Sequence, residues 1–246
     1  MSPDALPELP AAPVAGAHDR APEVRRMFEQ IAPRYDLANR VLSLGLDQAW
    51  RRRAIAALGP VQGKDIVDLC AGTMDLTQML LGAGAGHVWA LDFSERMLEV
   101  GAAKLPQGAP VTRRAADARE LPLEDHSVDA IICGFGLRNV PELERAVAEA
   151  ARVLRPGGRL VVLDFFTPEG AFPRLVQASY NRLVMPVLGG MITGFAPAYR
   201  YLASSIDAFC TPRQFAEMLE RHGMSARAWD LFPPVASIVL GEVCDA

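Results

Sequence analysis

From residue 64 onwards, short apolar runs alternate with stretches of helical spacing or with polar, glycine-rich turns. Runs of this length, closed by turn residues, are typical of buried strands. The predicted strands cover residues 64–69, 87–92, 111–115, 128–133 and 159–165. Strands that alternate with helices form a doubly wound, mainly parallel α/β sheet, which is the fold class we predict. A turn at 155–158 is expected to separate the last of these strands from the helix before it.

Apolar residues at helical spacing precede the first predicted strand, and a further helix is predicted after the fifth strand. Apolar positions recur with helical period over 23–44, where Pro33 predicts a kink or two short helices, and again over 47–58. Residues 212–222 predict another helix. Two last strands, around 226–229 and 236–243, complete a seven-stranded sheet as an antiparallel hairpin, and its place in the strand order stays open.

The two irregular parts of the chain set the predicted domain organisation. Residues 1–22 contain five prolines and no apolar core of a signal peptide, so we expect a disordered leader. Residues 23–246 are predicted to form one domain. Within it, aromatic residues, methionines and glycines over about 170–208 break the strand–helix pattern and predict a helical cap insertion that covers the site.

Bulk composition narrows the class of protein. The net charge of −4 provides no basic field for nucleic acid, and the arginines at 51–53 are interpreted as a solvated helix face. The four cysteines lack metal-ligand or disulfide spacing, which favours a reducing, cytoplasmic compartment without a metal site. No apolar run reaches the roughly 18–20 residues that a membrane span needs.

The most informative motif lies at 66–77, where a strand leads into a turn of small residues and a helix start. Backbone amides at a helix N-terminus can approach a ligand there, and Asp92, at the end of the second strand and 20 positions after Gly72, can accept hydrogen bonds from ribose hydroxyls. Ala71 and Met74 stand where further glycines of a G-x-G-x-x-G motif could be. A dinucleotide is therefore disfavoured, and these residues alone leave the cofactor open.

Acidic residues end four of the five predicted parallel strands. They are Asp68, Asp92, Asp117 and Asp164. The carboxyl ends of parallel strands share one edge of the sheet. Each acid alone could cap the next helix, but the four together favour a polar ligand site.

Four strings of residues match a known family. They are Phe-Glu-Gln-Ile-Ala-Pro-Arg-Tyr-Asp at 28–36, Phe-Gly-Leu-Arg-Asn-Val at 135–140, Arg-Val-Leu-Arg-Pro-Gly-Gly-Arg-Leu-Val-Val-Leu at 152–163, and Tyr-Arg-Tyr-Leu-Ala-Ser-Ser-Ile at 199–206. The chain resembles the class I S-adenosylmethionine-dependent methyltransferases and, within them, the ubiquinone/menaquinone biosynthesis C-methyltransferases, over about residues 23–243. More widely shared motifs of the class lie at 68–77, 92, 117–118 and 155–158.

The resemblance implies S-adenosylmethionine as cofactor and a role for each site residue. Cofactor contacts are implied for Ala71, Gly72, Thr73, Asp92, Phe93, Asp117, Ala118 and Gly134. Arg138 and Asn139 would hold a phenolate oxygen or a water, and Asp36 is a second candidate base. Tyr35, Tyr199 and Tyr201 are implied to line the substrate pocket. The family usually has glycine where Met74 stands, so we expect this thioether near the methionine end of the cofactor or at the substrate mouth.

The implied reaction is C-methylation of a reduced polyprenyl quinone, with demethylmenaquinol favoured and a benzoquinol acceptor not excluded. Residues 183–195 could then touch the inner face of the cell membrane as a peripheral contact, and a homodimer stays open. Three alternatives remain: a methyltransferase of another aromatic or polyketide acceptor, a nicotinamide-dependent oxidoreductase on the same fold, and a non-catalytic cofactor-binding protein.

Overall fold

The computed structural model describes residues 21–170, 174, 175, 177, 179 and 196–244. Residues 1–20, which form most of the predicted leader, and most of the predicted cap insertion lie outside this part of the chain. The first helices are α1 (Ala21–Ile31), α2 (Tyr35–Leu42) and α3 (Leu46–Ala57). A 3-10 turn at Ala32–Arg34 separates α1 from α2, which confirms the predicted interruption at Pro33.

Seven strands form one sheet, as predicted. They are β1 (Asp65–Leu69), β2 (His87–Asp92), β3 (Val111–Ala115), β4 (Val128–Gly134), β5 (Leu154–Asp164), β6 (Met224–Asp230) and β7 (Ser237–Val243). Their order is β3-β2-β1-β4-β5-β7-β6. The strands β1 to β5 run parallel, and β7 pairs antiparallel with both β5 and β6. The terminal hairpin thus extends the β5 side of the sheet.

The remaining helices cover the sheet or follow it. They are α4 (Asp75–Gly82), α5 (Glu95–Ala102), α6 (Leu143–Val153), α7 (Ala196–Asp207) and α8 (Pro212–Arg221). Neighbouring strand residues face opposite layers: Val67 and Ile131 belong to one apolar core, and Ile66 and Ile132 belong to the other. None of the helices in the described part of the chain is both long and apolar enough to cross a membrane.

The strand order reverses between β1 and β4, and this reversal positions the site. From β1 the chain proceeds outward to β2 and β3, whereas β4 and β5 lie on the opposite side. Connections that leave in opposite directions open a crevice at the carboxyl ends of the two central strands. Leu69 at the end of β1 pairs with Cys133 near the end of β4, directly below this crevice.

The fifth strand begins earlier than predicted. It starts at Leu154, and the expected turn at 155–158 is an irregularity inside the strand. Pairing with β4 passes from Val128↔Leu154 directly to Ala130↔Arg159. The prediction of a separate turn is wrong because Leu154 already forms a strand pair immediately after α6. Gly157 adopts the positive φ of 69° that the irregularity requires.

A small third core lies over the carboxyl edge of the sheet. Val24 and Met27 of α1 and Ala38 of α2 pack with Tyr201 and Ile206 of α7. The N-terminal helices therefore close over the crevice and take part in its walls.

Candidate active site

A cleft opens at the carboxyl ends of β1, β2 and β4. Six of the eight residues with an implied cofactor contact line it: Gly72, Asp92, Phe93, Asp117, Ala118 and Gly134. Ala71 and Thr73 are not on its wall. Ala71 packs against the core beneath the turn, and Thr73 is 3% exposed with its hydroxyl donating to the carboxylate of Asp36. The structure thus brings together most of this predicted set.

Asp92 is the buried acceptor of the cleft. Its two carboxylate oxygens accept hydrogen bonds from the backbone N–H groups of Gly72 and Ser94, each at 2.8 Å. Burial raises the pKa of Asp92 to about 6, and the two hydrogen bonds oppose that rise. Each carboxylate oxygen can accept more than one hydrogen bond, so Asp92 can also receive a pair of ligand hydroxyls.

Asp68 and Asp164, two of the other acids at strand ends, do not lie in the ligand site that the sequence predicts for all four. Asp68 accepts hydrogen bonds from the backbone N–H and the hydroxyl of Thr77, at 2.9 and 2.6 Å, and thereby caps α4. Burial raises the pKa of Asp68 to about 7. Asp164 forms an ion pair with Arg138. Neither acid lines the cleft, so the prediction is wrong for these two.

Asp117 does line the cleft, but it is partly exposed and already engaged. Its carboxylate forms an ion pair with Arg119 at 2.6 Å and also accepts from the backbone N–H of Arg119. These hydrogen bonds and the charge of Arg119 hold the pKa of Asp117 below its usual value. Asp117 is therefore an ionised acceptor at the outer wall of the cleft.

Met74 does not reach the cleft, and its predicted place near a cofactor is wrong. Its φ of 62° at the start of α4 directs the side chain into the protein, where it is fully buried with Ala90 and Leu98. The methyl group lies so close to Gly101 that a Cβ there would be 2.8 Å from it. The left-handed backbone is unfavourable for methionine, and burial of the thioether offsets that cost.

A second, largely apolar cavity adjoins the cleft. Its walls come from α1, α2 and α3 together with Phe165 and Tyr201. Both spaces are lined by Phe28, Tyr35, Phe135 and Asn139, so they meet at these four residues. Phe135 has a φ of 63°, an unfavourable conformation for an aromatic residue that is common at functional sites.

Arg138 supplies a buried positive charge to the wall of the apolar cavity. Its Nη1 donates to the Asp164 carboxylate at 2.7 Å and to the carbonyl oxygen of Phe135, and its guanidinium lies 5.7 Å from the centre of the Phe165 ring. Burial alone would lower the pKa of Arg138, but the charge of Asp164 raises it above its ordinary value. The group is therefore a permanent cation.

Among the described residues, three buried polar atoms beside the apolar cavity have no hydrogen-bond partner, and one of them is the Nε of Arg51. The other two are the Nε of Arg138 and the Oδ1 of Asn139, one donor and one acceptor on adjacent residues. Buried polar atoms are rarely left unpaired, so these two fit a ligand or a water that the cavity would contain. The predicted pairing of Arg138 with Asn139 at one site is consistent with this arrangement.

Asp36 is engaged by two side chains at the junction of α2 with the turn after β1. Its carboxylate accepts from Lys104 Nζ at 2.7 Å and from the hydroxyl of Thr73, and Lys104 also pairs with Asp75 at 2.7 Å. Asp36 lies on the wall of neither cavity. It joins α2 to the turn after β1, and its role as a base stays a prediction.

The three predicted substrate tyrosines have different outcomes. Tyr35 lines both spaces, and burial raises its pKa, which keeps the phenol neutral. Tyr201 is 4% exposed and lines the apolar cavity. Tyr199 belongs to α7, but its side chain lies outside the described part of the structure.

Arg51 is a further residue of the site, although the sequence predicts a solvated helix face for it and for its neighbours Arg52 and Arg53. Arg51 is only 6% exposed, lines the apolar cavity and lies 5.3 Å from the centre of the Phe135 ring. The signal was present, because Asp47, Trp50, Arg51 and Ala54 share one helical stripe and all four are buried.

The fold with this joined pair of cavities defines the class of protein. Similar solved structures are the S-adenosylmethionine-dependent methyltransferases of Aquifex aeolicus (TM-score 0.58, 18% identity, 78% of this chain and 89% of that chain) and Mesorhizobium loti (TM-score 0.57, 21% identity, 78% and 96%). At this identity the likeness shows the fold, which is that of the class I methyltransferases.

The sequence comparisons identify the family within this class. The model of the ubiE/COQ5 methyltransferase family matches residues 16–236. The chain is 45% identical to a demethylmenaquinone methyltransferase of Thermus thermophilus (88% of this chain, 99% of that protein) and 38% identical to one of Thermotoga maritima (89% and 95%). The chain belongs to the ubiE/COQ5 methyltransferase family and is an S-adenosylmethionine-dependent methyltransferase, not a nicotinamide-dependent oxidoreductase.

Proposed function

We propose that this enzyme methylates a ring carbon of a reduced polyprenyl quinone, with demethylmenaquinol as its acceptor. The observation that carries the proposal is the junction of the two spaces: the cleft that contains Asp92 opens, at Tyr35, Phe135 and Asn139, into a larger, apolar cavity. A lipophilic acceptor fits such a cavity. The names of the relatives from Thermus and Thermotoga point to the same acceptor.

The residues of the cleft fit S-adenosylmethionine. Asp92 would accept from the ribose hydroxyls, Gly72 and Gly134 give a wall without side chains, and Asp117 with Ala118 would contact the adenine. Phe93 would complete this wall. When bound, the cofactor supplies a methyl group on a sulfonium, which a nucleophilic carbon can displace in line. Much of the catalysis in such a displacement is positioning.

Arg138 and Asn139 would act on the acceptor. A permanent cation beside a ring hydroxyl lowers the pKa of that hydroxyl and favours the phenolate, which makes the neighbouring ring carbon nucleophilic. The unpartnered Asn139 Oδ1 and Arg138 Nε could hold a water between them. Such a water is our candidate base for the hydroxyl proton and later for the ring proton. Tyr35 and Tyr201 would shape the pocket around the ring.

The acceptor also suggests where the enzyme works. A polyprenyl tail lies in a bilayer, so we propose peripheral contact with the inner face of the cell membrane. The segment 183–195, predicted for this contact, lies outside the described residues. Another aromatic or polyketide acceptor, and a benzoquinol in place of the naphthoquinol, are the competing substrates.

The test is methyl transfer from isotopically labelled S-adenosylmethionine to a panel of chemically reduced acceptors. Demethylmenaquinol should be labelled, and Arg138→Ala should lose most of that label. Arg213→Gln, at a surface arginine of α8 that pairs only with Glu217 on the same helix among the described contacts, is the matched control and should retain full activity. Cofactor binding without label in demethylmenaquinol would overturn the acceptor, and label in another member of the panel would replace it.

A further inference from the structure

Exposed apolar side chains surround the opening of the apolar cavity. Leu44, between α2 and α3, is 87% exposed and also lines the cavity, so the cavity opens beside it. Phe232 is 83% exposed and precedes Pro233, another lining residue. The carbonyl oxygen of Phe232 accepts from Trp50 Nε1 at 3.2 Å, which fixes this segment against the cavity wall. Two separate parts of the chain therefore present large apolar groups to solvent at one opening.

Helix α2 extends this apolar surface. Leu37 and Val41 are four residues apart in α2, which places them along one side of the helix, and Leu44 follows in the turn after α2. Leu37 is 58% exposed, whereas Ala38 on the opposite side is fully buried. We name Leu37, Val41, Leu44 and Phe232 the rim patch. Groups of large exposed apolar side chains mark interaction sites.

Two arginines lie beside the α2 part of the rim patch. Arg34 and Arg40 are both exposed, immediately before and within α2, and Arg40 lies 3.9 Å from the Asp75 carboxylate. Asp36, the acidic residue of α2, shares the ammonium group of Lys104 with Asp75, and Asp230 is exposed two residues before Phe232. An apolar stripe flanked by arginines suits the boundary between acyl chains and anionic headgroups.

We propose that the rim patch docks on an anionic bilayer surface, so that the quinol enters the apolar cavity directly from the membrane. This inference rests on the proposed function, since it takes the ligand of the cavity to be a membrane lipid. The position of the patch favours a bilayer over a second copy of the chain. A second copy on the rim would cover the opening through which a polyprenyl tail must extend, whereas a bilayer is where that tail resides.

The first test is flotation with vesicles of phosphatidylcholine and phosphatidylglycerol, and of phosphatidylcholine alone. Wild type should float with the anionic vesicles, and added salt should weaken the binding. The double variant Leu37→Gln/Phe232→Gln, which changes no residue that lines either cavity, should lower the partition about tenfold. Trp229→Gln removes a partly exposed side chain of the edge strand β6 and is the matched control; it should bind as wild type.

The second test separates this inference from the proposed function. The enzyme is given a demethylmenaquinol with one prenyl unit in buffer, and the long-chain quinol in anionic vesicles. The double variant should methylate the short acceptor at the wild-type rate and the vesicle-bound acceptor about tenfold more slowly. If wild type methylates neither acceptor, the proposed function fails, and flotation alone then decides whether the rim patch binds bilayers.

Three results would overturn the docking proposal. The double variant could float as wild type does, or Trp229→Gln could lose as much binding as the double variant, which would show attachment unrelated to the opening. Light scattering could also show that wild type is a dimer and that the double variant is a monomer. That last result would assign the rim patch to a second copy of the chain.

Discussion

Replacing Arg138 by methionine is expected to reduce both stability and activity, for reasons that can be separated. The side chains of Arg138 and Asp164 are 3% and 0% exposed and their charged atoms are 2.7 Å apart. Removal of one partner of a buried ion pair leaves the other charge uncompensated and costs about 3–5 kcal/mol. In the variant, Asp164 keeps hydrogen bonds from the backbone N–H groups of Phe165 and residue 138. We therefore expect the free energy of unfolding to fall by about 3 kcal/mol, the lower end of this range.

The double variant Arg138→Met/Asp164→Asn separates the two effects. It leaves no buried charge, and the amide oxygen of the new asparagine can still accept from one of the two backbone N–H groups, which bond to different carboxylate oxygens of Asp164. We expect it to recover about 2 kcal/mol of the lost free energy of unfolding. Activity should remain about 100-fold or more below wild type, because the acceptor oxygen has still lost its cation.

The assay combines urea denaturation with initial rates of labelled methyl transfer at saturating cofactor. Calorimetric binding of S-adenosylmethionine serves as the control, and it should be nearly unchanged in the double variant because neither side chain lines the cofactor cleft. If the double variant regained a rate within about tenfold of wild type, Arg138 would only brace its loop, and its role at the acceptor would be refuted.

Three further predictions concern the cleft and its support. The pKa of Asp92 is about 6 and the ionised carboxylate is the better acceptor of two hydroxyls, so cofactor binding should release a proton below that pH. Calorimetry should therefore show the cofactor affinity falling by up to about tenfold per pH unit below about pH 6. A flat pH profile would count against a role of Asp92 in cofactor binding. Lys104→Met breaks two ion pairs that join α2 to the turn, and it should weaken cofactor affinity about threefold with little change in the rate at saturation. Gly136→Ala would place a Cβ 2.3 Å from the Cβ of Cys70, and urea denaturation should show a free energy of unfolding lowered by about 1–3 kcal/mol. Gly82→Ala is the control: there is open space around Gly82, so this change should not destabilise the protein.

The parallel part of the fold could be predicted because its signals are local. The buried strands β1, β2 and β4 are apolar runs with an acid or a small residue at or next to the carboxyl end, and these three strands and the more exposed β3 were predicted to within a residue. The place of the terminal hairpin could not be predicted. The pairing of β7 with β5 joins residues far apart in the chain, such as Arg159 and Glu242, and no local pattern encodes that choice.

Residues of the candidate site could be predicted where a residue type, at the end of a parallel strand or in the turn after it, has one main function. Asp92 and Gly72 are examples, and they meet in the cleft through a hydrogen bond of 2.8 Å. A local pattern is insufficient where a backbone angle or a distant partner decides the position of a side chain. Met74 turns inward because of its positive φ, and Asp36 is engaged by Lys104, which lies 68 positions away in the chain.

The position of the transferred label in the product tests the central claim most directly. Demethylmenaquinol is incubated with methyl-labelled S-adenosylmethionine, and the labelled atom is located by NMR and mass spectrometry. The account predicts a new methyl group on a ring carbon, formed from the reduced acceptor and not from the oxidised quinone. A methyl group on a ring oxygen, or equal transfer to the oxidised quinone, would contradict the proposal that the Arg138 and Asn139 wall activates a quinol carbon.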